Sequence, residues 1–247
     1  MKTQKSEDLI DAVKKYIENQ PQQTRCINHG VRQTICLDRS VAASRKYGDR
    51  GYYSAMYEPC PLCEQDRLHG QGAPKNLLTA SLDNWVADGR EIYLEQVREF
   101  IKQQRGFLIL LGDVGTGKSH LAVGAMRFFS SAHYVKQNDL LRKLRQSYRD
   151  HGISDPVGEC QCCDLLVLDD MGISGGGRDE LPMIHAILDH RHDEQKPTIL
   201  TSNLDLNELK ECIGERMADR FKESSFNIVK FEGESYRRIA HEKYFSK

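Results

Sequence analysis

The chain of 247 residues is 39% hydrophobic and carries a formal net charge of −1, a size that buries a sizeable core in one or two domains. No global basic field draws it to nucleic acid, so any such contact needs a local patch, and no run approaches the ~18 apolar residues of a membrane span. The opening MKTQKSEDLIDAVKK places acids where a signal peptide has its apolar core, so the expectation is a cytoplasmic chain whose eight cysteines are thiols or metal ligands rather than disulfides.

Leu9, Ile10, Val13, Tyr16 and Ile17 recur at helical spacing behind Ser6, a candidate N-cap. Residues 21–75 change texture, with cysteines, glycines and tyrosines but little apolar periodicity, too little for a core without a staple. RCINHG (25–30) and PCPLC (59–63) each set two metal ligands across one tight turn, Cys26 with His29 and Cys60 with Cys63, as tetrahedral Zn²⁺ requires. Cys36 is a rival to His29 as the fourth ligand. Arg25, Arg32, Arg39, Arg45, Lys46 and Arg50 interleave with Tyr47, Tyr52, Tyr53 and Tyr57. That mixture fits a nucleic-acid contact, a docking face or a miniature core. HGQGAPKN (69–76) reads as a linker. The expected division is therefore an N-terminal helix plus zinc-binding module over 1–75 and a second domain over 76–247.

From about residue 77 short apolar runs alternate with helical patterns. FLILL (107–111), AHYVK (132–136), LLVLDD (165–170), PTILTSN (197–203) and FNIVKFE (226–232) read as strands. Helices are expected after the first strand, over 139–151, over 179–194, after the fourth strand, and at ESYRRIAHEKY (234–244). This alternation predicts an α/β domain with a mostly parallel sheet flanked by helices. CQCC (160–163) has spacing too crowded for a metal, and its cysteines read as small buried residues.

GDVGTGKS spans Gly112, Asp113, Val114, Gly115, Thr116, Gly117, Lys118 and Ser119, and His120 follows on the helix. The stretch is a complete G-x-x-x-x-G-K-[ST] loop between an apolar strand and a helix, the context that makes the motif specific. Its glycines let backbone N–H groups wrap the phosphates of ATP. Lys118 reaches the β and γ phosphates, and Ser119 holds Mg²⁺. Asp169, at the end of LLVLDD, supplies the acid of the Mg²⁺ shell. Asp170 stands where a water-orienting base belongs, one methylene shorter than the usual glutamate. Ser202 or Asn203, at the tip of PTILTSN, is expected at the γ-phosphate or its attacking water. Arg142, Lys143, Arg145 and Arg149, with Tyr148, lie on or near one helix, which is either a grip on single-stranded DNA or a solvated basic face.

GDVGTGKSHLA, DLLVLDDMG, LTSNL, GERMADR and SYRR, in that order and spacing, resemble the AAA+ ATPase family of DnaC-type replicative helicase loaders, from about residue 77 to 240. TASLDNW (79–85) is similar to the short box these proteins carry ahead of the ATPase core. The resemblance implies a P-loop AAA+ domain that binds a hexameric replicative helicase, delivers it onto single-stranded DNA and uses ATP chiefly as a switch, with weak hydrolysis and self-association through the ATPase domain. It implies that Arg220 is an arginine finger reaching a neighbour's γ-phosphate, with Arg216 packing at the same seam, and that Arg237 is a sensor arginine. It also implies that a zinc-bearing front docks on the helicase. Asp170 departs from the family's Asp-Glu pair, a drift that fits a phage- or prophage-encoded loader. The IstB relatives, which assist transposition, share the same core. Two other readings therefore stand beside the loader, an IstB-like transposition helper and a zinc-module DNA-binding regulator.

Overall fold

The computed structural model describes residues 35–37, 55–57, 60–86, 89–149, 154–172, 181–220, 223, 225–233, 235 and 236. The periodic stretch at 1–20, Cys26, His29, Arg237 and most of the helix read at 234–244 lie outside them, as do the side chains of Tyr148 and Arg216. The chain divides into two compact units, Met1–Arg67 and Leu68–Lys247.

In the first unit β1 (Ile35–Leu37) and β2 (Ala55–Tyr57) pair antiparallel, with Cys36 opposite Met56. PCPLC then leads into a helix, α1 (Pro61–Gly70). Cys60 is buried just ahead of it, and Glu64 grips Arg67 one turn on at 2.6 and 3.0 Å. The division falls at Arg67 rather than at residue 75, and packing is the reason. Leu68 and Ala73 are buried in the core of the second unit, and the Tyr134 N–H donates to the Gln71 carbonyl at 2.8 Å. The stretch read as a linker is instead a packed strap along an edge strand.

The second unit continues with α2 (Glu91–Gln103), β3 (Phe107–Gly112), α3 (Lys118–Met126), β4 (Ala132–Lys136), α4 (Gln137–Arg149), α5 (Pro156–Cys162) and β5 (Leu165–Met171). It closes with α6 (Leu181–Asp193), β6 (Thr198–Ser202), α7 (Leu206–Ile213), α8 (Glu215–Arg220) and β7 (Phe226–Phe231). Its five strands form one parallel sheet in the order β4-β5-β6-β3-β7. Side chains alternate across a strand, so Leu108 and Leu110 join one buried cluster with α3, while Phe107, Ile109 and Leu111 join another with α4 and α6. The inner strands β3, β5 and β6 are buried on both faces, which is why they read as near-continuous apolar runs, whereas the edge strands β4 and β7 include partly exposed polar residues. β3 lies in the interior of the sheet, so the loop at its C-terminal end has neighbours on both sides.

The reading of CQCC as buried holds only in part, and the same region buries a charge. Cys160 and Cys163 are buried, but Cys162 is exposed. Arg191, in a charged run that looks solvated, is fully buried. Its guanidinium donates to Thr198 Oγ1 (2.8 Å) and to the carbonyls of Cys160 (2.9 Å), Cys163 (2.9 Å), Asp164 (3.2 Å) and Pro197 (2.5 Å). Burial pushes the Cys160 thiol up to about 12 and raises that of Cys163. The cation is therefore balanced by carbonyl dipoles and not by thiolates.

Candidate nucleotide site

The GDVGTGKS loop joins β3 to α3, and its conformation follows from its glycines. Gly115 and Gly117 take φ of 86° and 97°, a region that L side chains rarely occupy. A Cβ on Gly115 would meet Ser235 Oγ at 2.0 Å. No side chain caps α3, because Gly117 stands at its N-cap, and its first N–H groups are left to an external anion. Lys118 is buried and turned onto its own loop, with Nζ donating to the carbonyls of Gly112 (2.6 Å) and Asp113 (2.7 Å). Thr116 Oγ1 closes the loop on Asp113 O at 2.9 Å. Val114, at the crest, is exposed.

Parallel pairing brings β5 within reach. Ser119 Oγ donates to Asp169 Oδ1 at 2.8 Å, which joins the two residues expected to share Mg²⁺. Asp169 is 1% exposed, and two further hydroxyls hold it: Thr201 to Oδ1 (2.5 Å), and Tyr134 to Oδ2 through a short bond. Burial, and then the Asp169 charge, push the Tyr134 phenol far above its ordinary range, so it remains a donor. A register irregularity in the β5–β6 pairing falls between Leu168 and Met171, and Asp170 takes φ of 56°. Bulges of this kind re-aim side chains beside active sites. The Asp170 carboxylate turns to Lys136 Nζ at 2.8 Å, while its N–H donates to Thr201 Oγ1 at 3.1 Å. That hydrogen bond to Asp170 raises the Lys136 pKa.

The other candidates are spread around this centre. Ser202 is buried, its hydroxyl bonded to Met171 O (2.7 Å) and to the Leu204 N–H (3.1 Å), and Asn203 is exposed. It is Thr201, one residue earlier, that meets the acids. His120 Nε2 faces away from the loop, onto Ser81 O (3.1 Å) and Asn84 Oδ1 (2.8 Å). It thereby fastens the SLDNW box to α3, and Arg127 does the same by donating to Ala80 O (2.7 Å) and Leu78 O (2.8 Å). Tyr236 lies over the loop, its N–H on Gly115 O (3.0 Å), its hydroxyl on Val86 O, and the Arg90 guanidinium 4.2 Å from its ring. Arg220, at the end of α8, pairs within its own chain with Asp189 (2.9 Å) and Asp193 (3.5 Å) on α6. On α4, Leu140, Leu141 and Leu144 are buried, while Arg142, Lys143, Arg145 and Arg149 are exposed. Arg142 pairs with Asp139 (2.8 Å) and Lys143 with Glu159 (3.7 Å).

Sequence reasoning missed Tyr134, Thr201, Lys136 and Tyr236. A signal for Thr201 was present, since alternation puts it on the opposite face of β6 from Ser202. The others become visible only once strand order is known. Among the described residues no group of three or more His, Cys, Asp or Glu side chains is placed to hold a metal. No described helix is long and apolar enough to cross a membrane.

The family of IstB-like ATP binding proteins matches residues 84–243. The replicative helicase loader DnaC of Escherichia coli strain K12 is 27% identical over 167 residues, covering 64% of this chain and 68% of that protein. The protein of the same name from Buchnera aphidicola subsp. Acyrthosiphon pisum is 27% identical over 212 residues, covering 80% and 85%. Among solved structures, a DnaC helicase loader superposes with a TM-score of 0.57 at 21% identity, over 64% of this chain and 100% of that one. AMPPCP-bound DnaA from Aquifex aeolicus gives 0.57 at 23% identity over 68% of this chain. The match spans only 55% of that DnaA chain. At such identities the likeness to solved structures is one of fold.

Proposed function

The chain belongs to the family of IstB-like ATP-binding proteins, and on that premise we propose that it is an ATP-dependent loader that delivers a hexameric replicative helicase onto single-stranded DNA. The observation that carries the nucleotide half is the contact of Ser119 Oγ with Asp169 Oδ1, 2.8 Å apart beside the Lys118 loop. A hydroxyl and a carboxylate are hard oxygen donors, and with water and phosphate oxygens they fit Mg²⁺. Bound there, the ion neutralises charge on the β and γ phosphates. Lys118 moves from the Gly112 and Asp113 carbonyls to the phosphates. Tyr134 and Thr201 keep the Asp169 carboxylate aimed. Asp170 orients the attacking water only when Lys136 yields it, which fits slow hydrolysis and a switch. The loader half rests on relatives that bear that name.

In the same reading Arg220 acts in trans. It leaves Asp189 and Asp193 to meet a neighbour's γ-phosphate, with Arg237 serving as the sensor arginine of its own chain. The exposed basic face of α4 follows single-stranded DNA. The front carries one Zn²⁺ through Cys60 and Cys63, together with Cys26 and either His29 or Cys36, and docks on the helicase. Metal analysis of protein made without chelator, before and after Cys60→Ser with Cys63→Ser, tests the zinc. An average well below one zinc per chain in the parent rejects it.

The experiment for the whole is capture of purified replicative helicase by purified protein, with and without ATP, and with Lys118→Ala as control. Capture that depends on ATP and is lost in the variant is expected. A parent that binds ATP yet never retains the helicase removes the loader reading, and capture of a transposase in its place supports the transposition helper.

A further inference from the structure

We infer that the indole N–H of Trp85 is a ligand contact that donates to a phosphate oxygen of the nucleotide held by the GDVGTGKS loop; this rests on the nucleotide-binding reading above. Trp85 is 6% exposed, and its Nε1 is a buried polar atom with no hydrogen-bond partner among the described residues. Buried donors are nearly always paired, and tryptophan N–H groups are no exception. The orphan stands at the loop itself. A Cβ built on Gly117 would come within 2.5 Å of Nε1, so the polar edge of the indole lies on the residue just before Lys118. Two rings fix its attitude, Phe231 and Tyr236, each edge-on with centroids 6.5 Å away.

Acceptors of the loop and of the preceding box are bonded to other donors. Gly115 O receives the Tyr236 N–H and Gly117 O the Leu121 N–H, while Val86 O takes the Tyr236 hydroxyl. Ser81 O and Asn84 Oδ1 share His120 Nε2. An indole donates and cannot accept, so the partner it lacks is an acceptor. The start of α3 and the Lys118 ammonium select an anionic oxygen at the same place.

The chain has a single tryptophan, so a nitrogen-15-labelled sample yields one tryptophan indole N–H resonance. Titrating Mg²⁺ and ADP into the full-length protein should move that resonance downfield. Trp85→Phe keeps an aromatic ring and removes the donor. By calorimetry it should bind ADP about ten- to a hundredfold more weakly, with a thermal midpoint near the parent's. A resonance that stays in place while ADP binds overturns the inference and leaves nucleotide binding standing, as does a phenylalanine variant that binds as tightly as the parent. A folded parent that binds no ADP overturns both. If the variant does not fold, the resonance of the parent chain decides.

Discussion

Replacing Arg191 with methionine keeps much of the side chain's length and removes every donor. The guanidinium is fully buried and gathers the end of α5, the approach to β5, and the start of β6 through carbonyl oxygens and Thr198. Pro197 O keeps a second donor in the Leu166 N–H, and Gln161 O, 3.4 Å from the guanidinium, keeps Lys196 Nζ. The carbonyls of Cys163 and Asp164 have no such substitute among the hydrogen bonds described, and Cys160 O retains only the Cys163 thiol at 3.5 Å. Each buried acceptor left unmet costs about 1–3 kcal/mol, while removing a buried cation returns part of its desolvation. The expected net loss is about 3 kcal/mol, a large share of the 5–15 kcal/mol typical of a domain. Arg191→Lys, with three donors in place of five, should lose roughly half as much. Urea denaturation followed by circular dichroism measures both, with the midpoint moving and the slope unchanged. A methionine variant within about 1 kcal/mol of the parent would refute the reasoning, because it would mean that those carbonyls find other partners at little cost.

Lys136→Met frees the Asp170 carboxylate from a partly exposed pair of 2.8 Å, and ATP turnover should rise about fivefold, the equivalent of roughly 1 kcal/mol. Steady-state phosphate release that is unchanged or slower shows that the pair does not restrain the acid. Mixing Arg220→Ala with Lys118→Ala, each inactive alone, should restore part of the ATPase activity, because one seam then holds an intact loop and an intact arginine. No recovery in chains that demonstrably co-assemble rules out action in trans. Burial lowers the pKa of His120 and, with help from Lys143, that of His133, so both are neutral in the fold when the unfolded chain protonates near pH 6.5. The unfolded state then binds more protons, and stability should be flat above about pH 6.5 and fall as pH drops below it. His120→Gln, which can still donate to Ser81 O and Asn84 Oδ1, should flatten that fall in thermal midpoints between about pH 7 and 5.5, and identical slopes would rule His120 out as a source.

The central sheet was legible because β3, β5 and β6 are short runs buried on both faces, while the edge strands alternate, and AHYVK maps onto β4 residue for residue. The loop at Gly112–Ser119 was legible because a fixed spacing imposes a fixed backbone. What escaped depended on neighbours in space. Tyr134 looks like one more core aromatic until pairing sets β4 against β5 and brings its hydroxyl to Asp169. Arg191 sits in LDHRHDEQK, whose charge density reads as surface, and only the carbonyls converging from three elements make it interior. PCPLC read as a turn because two cysteines three apart suit a metal, yet Pro61 at a helix start and Glu64 in the first turn point equally to α1. Arg220 shows a different limit. Its helix was expected, but the acids at Asp189 and Asp193 lie some thirty residues away in sequence and one helix away in space.

Lys118 meets an incoming phosphate with its ammonium already bonded to two carbonyls of its own loop. Phosphate binding is therefore an exchange of partners, and its strength is the difference between two sets of bonds. The same exchange operates in reverse. A departing phosphate does not strand a buried cation, because the Gly112 and Asp113 oxygens take it back as the contact lengthens. On the nucleotide-binding reading, the loop's own carbonyls thus compete with the phosphate for one ammonium, and the site is left with its cation partnered in either state.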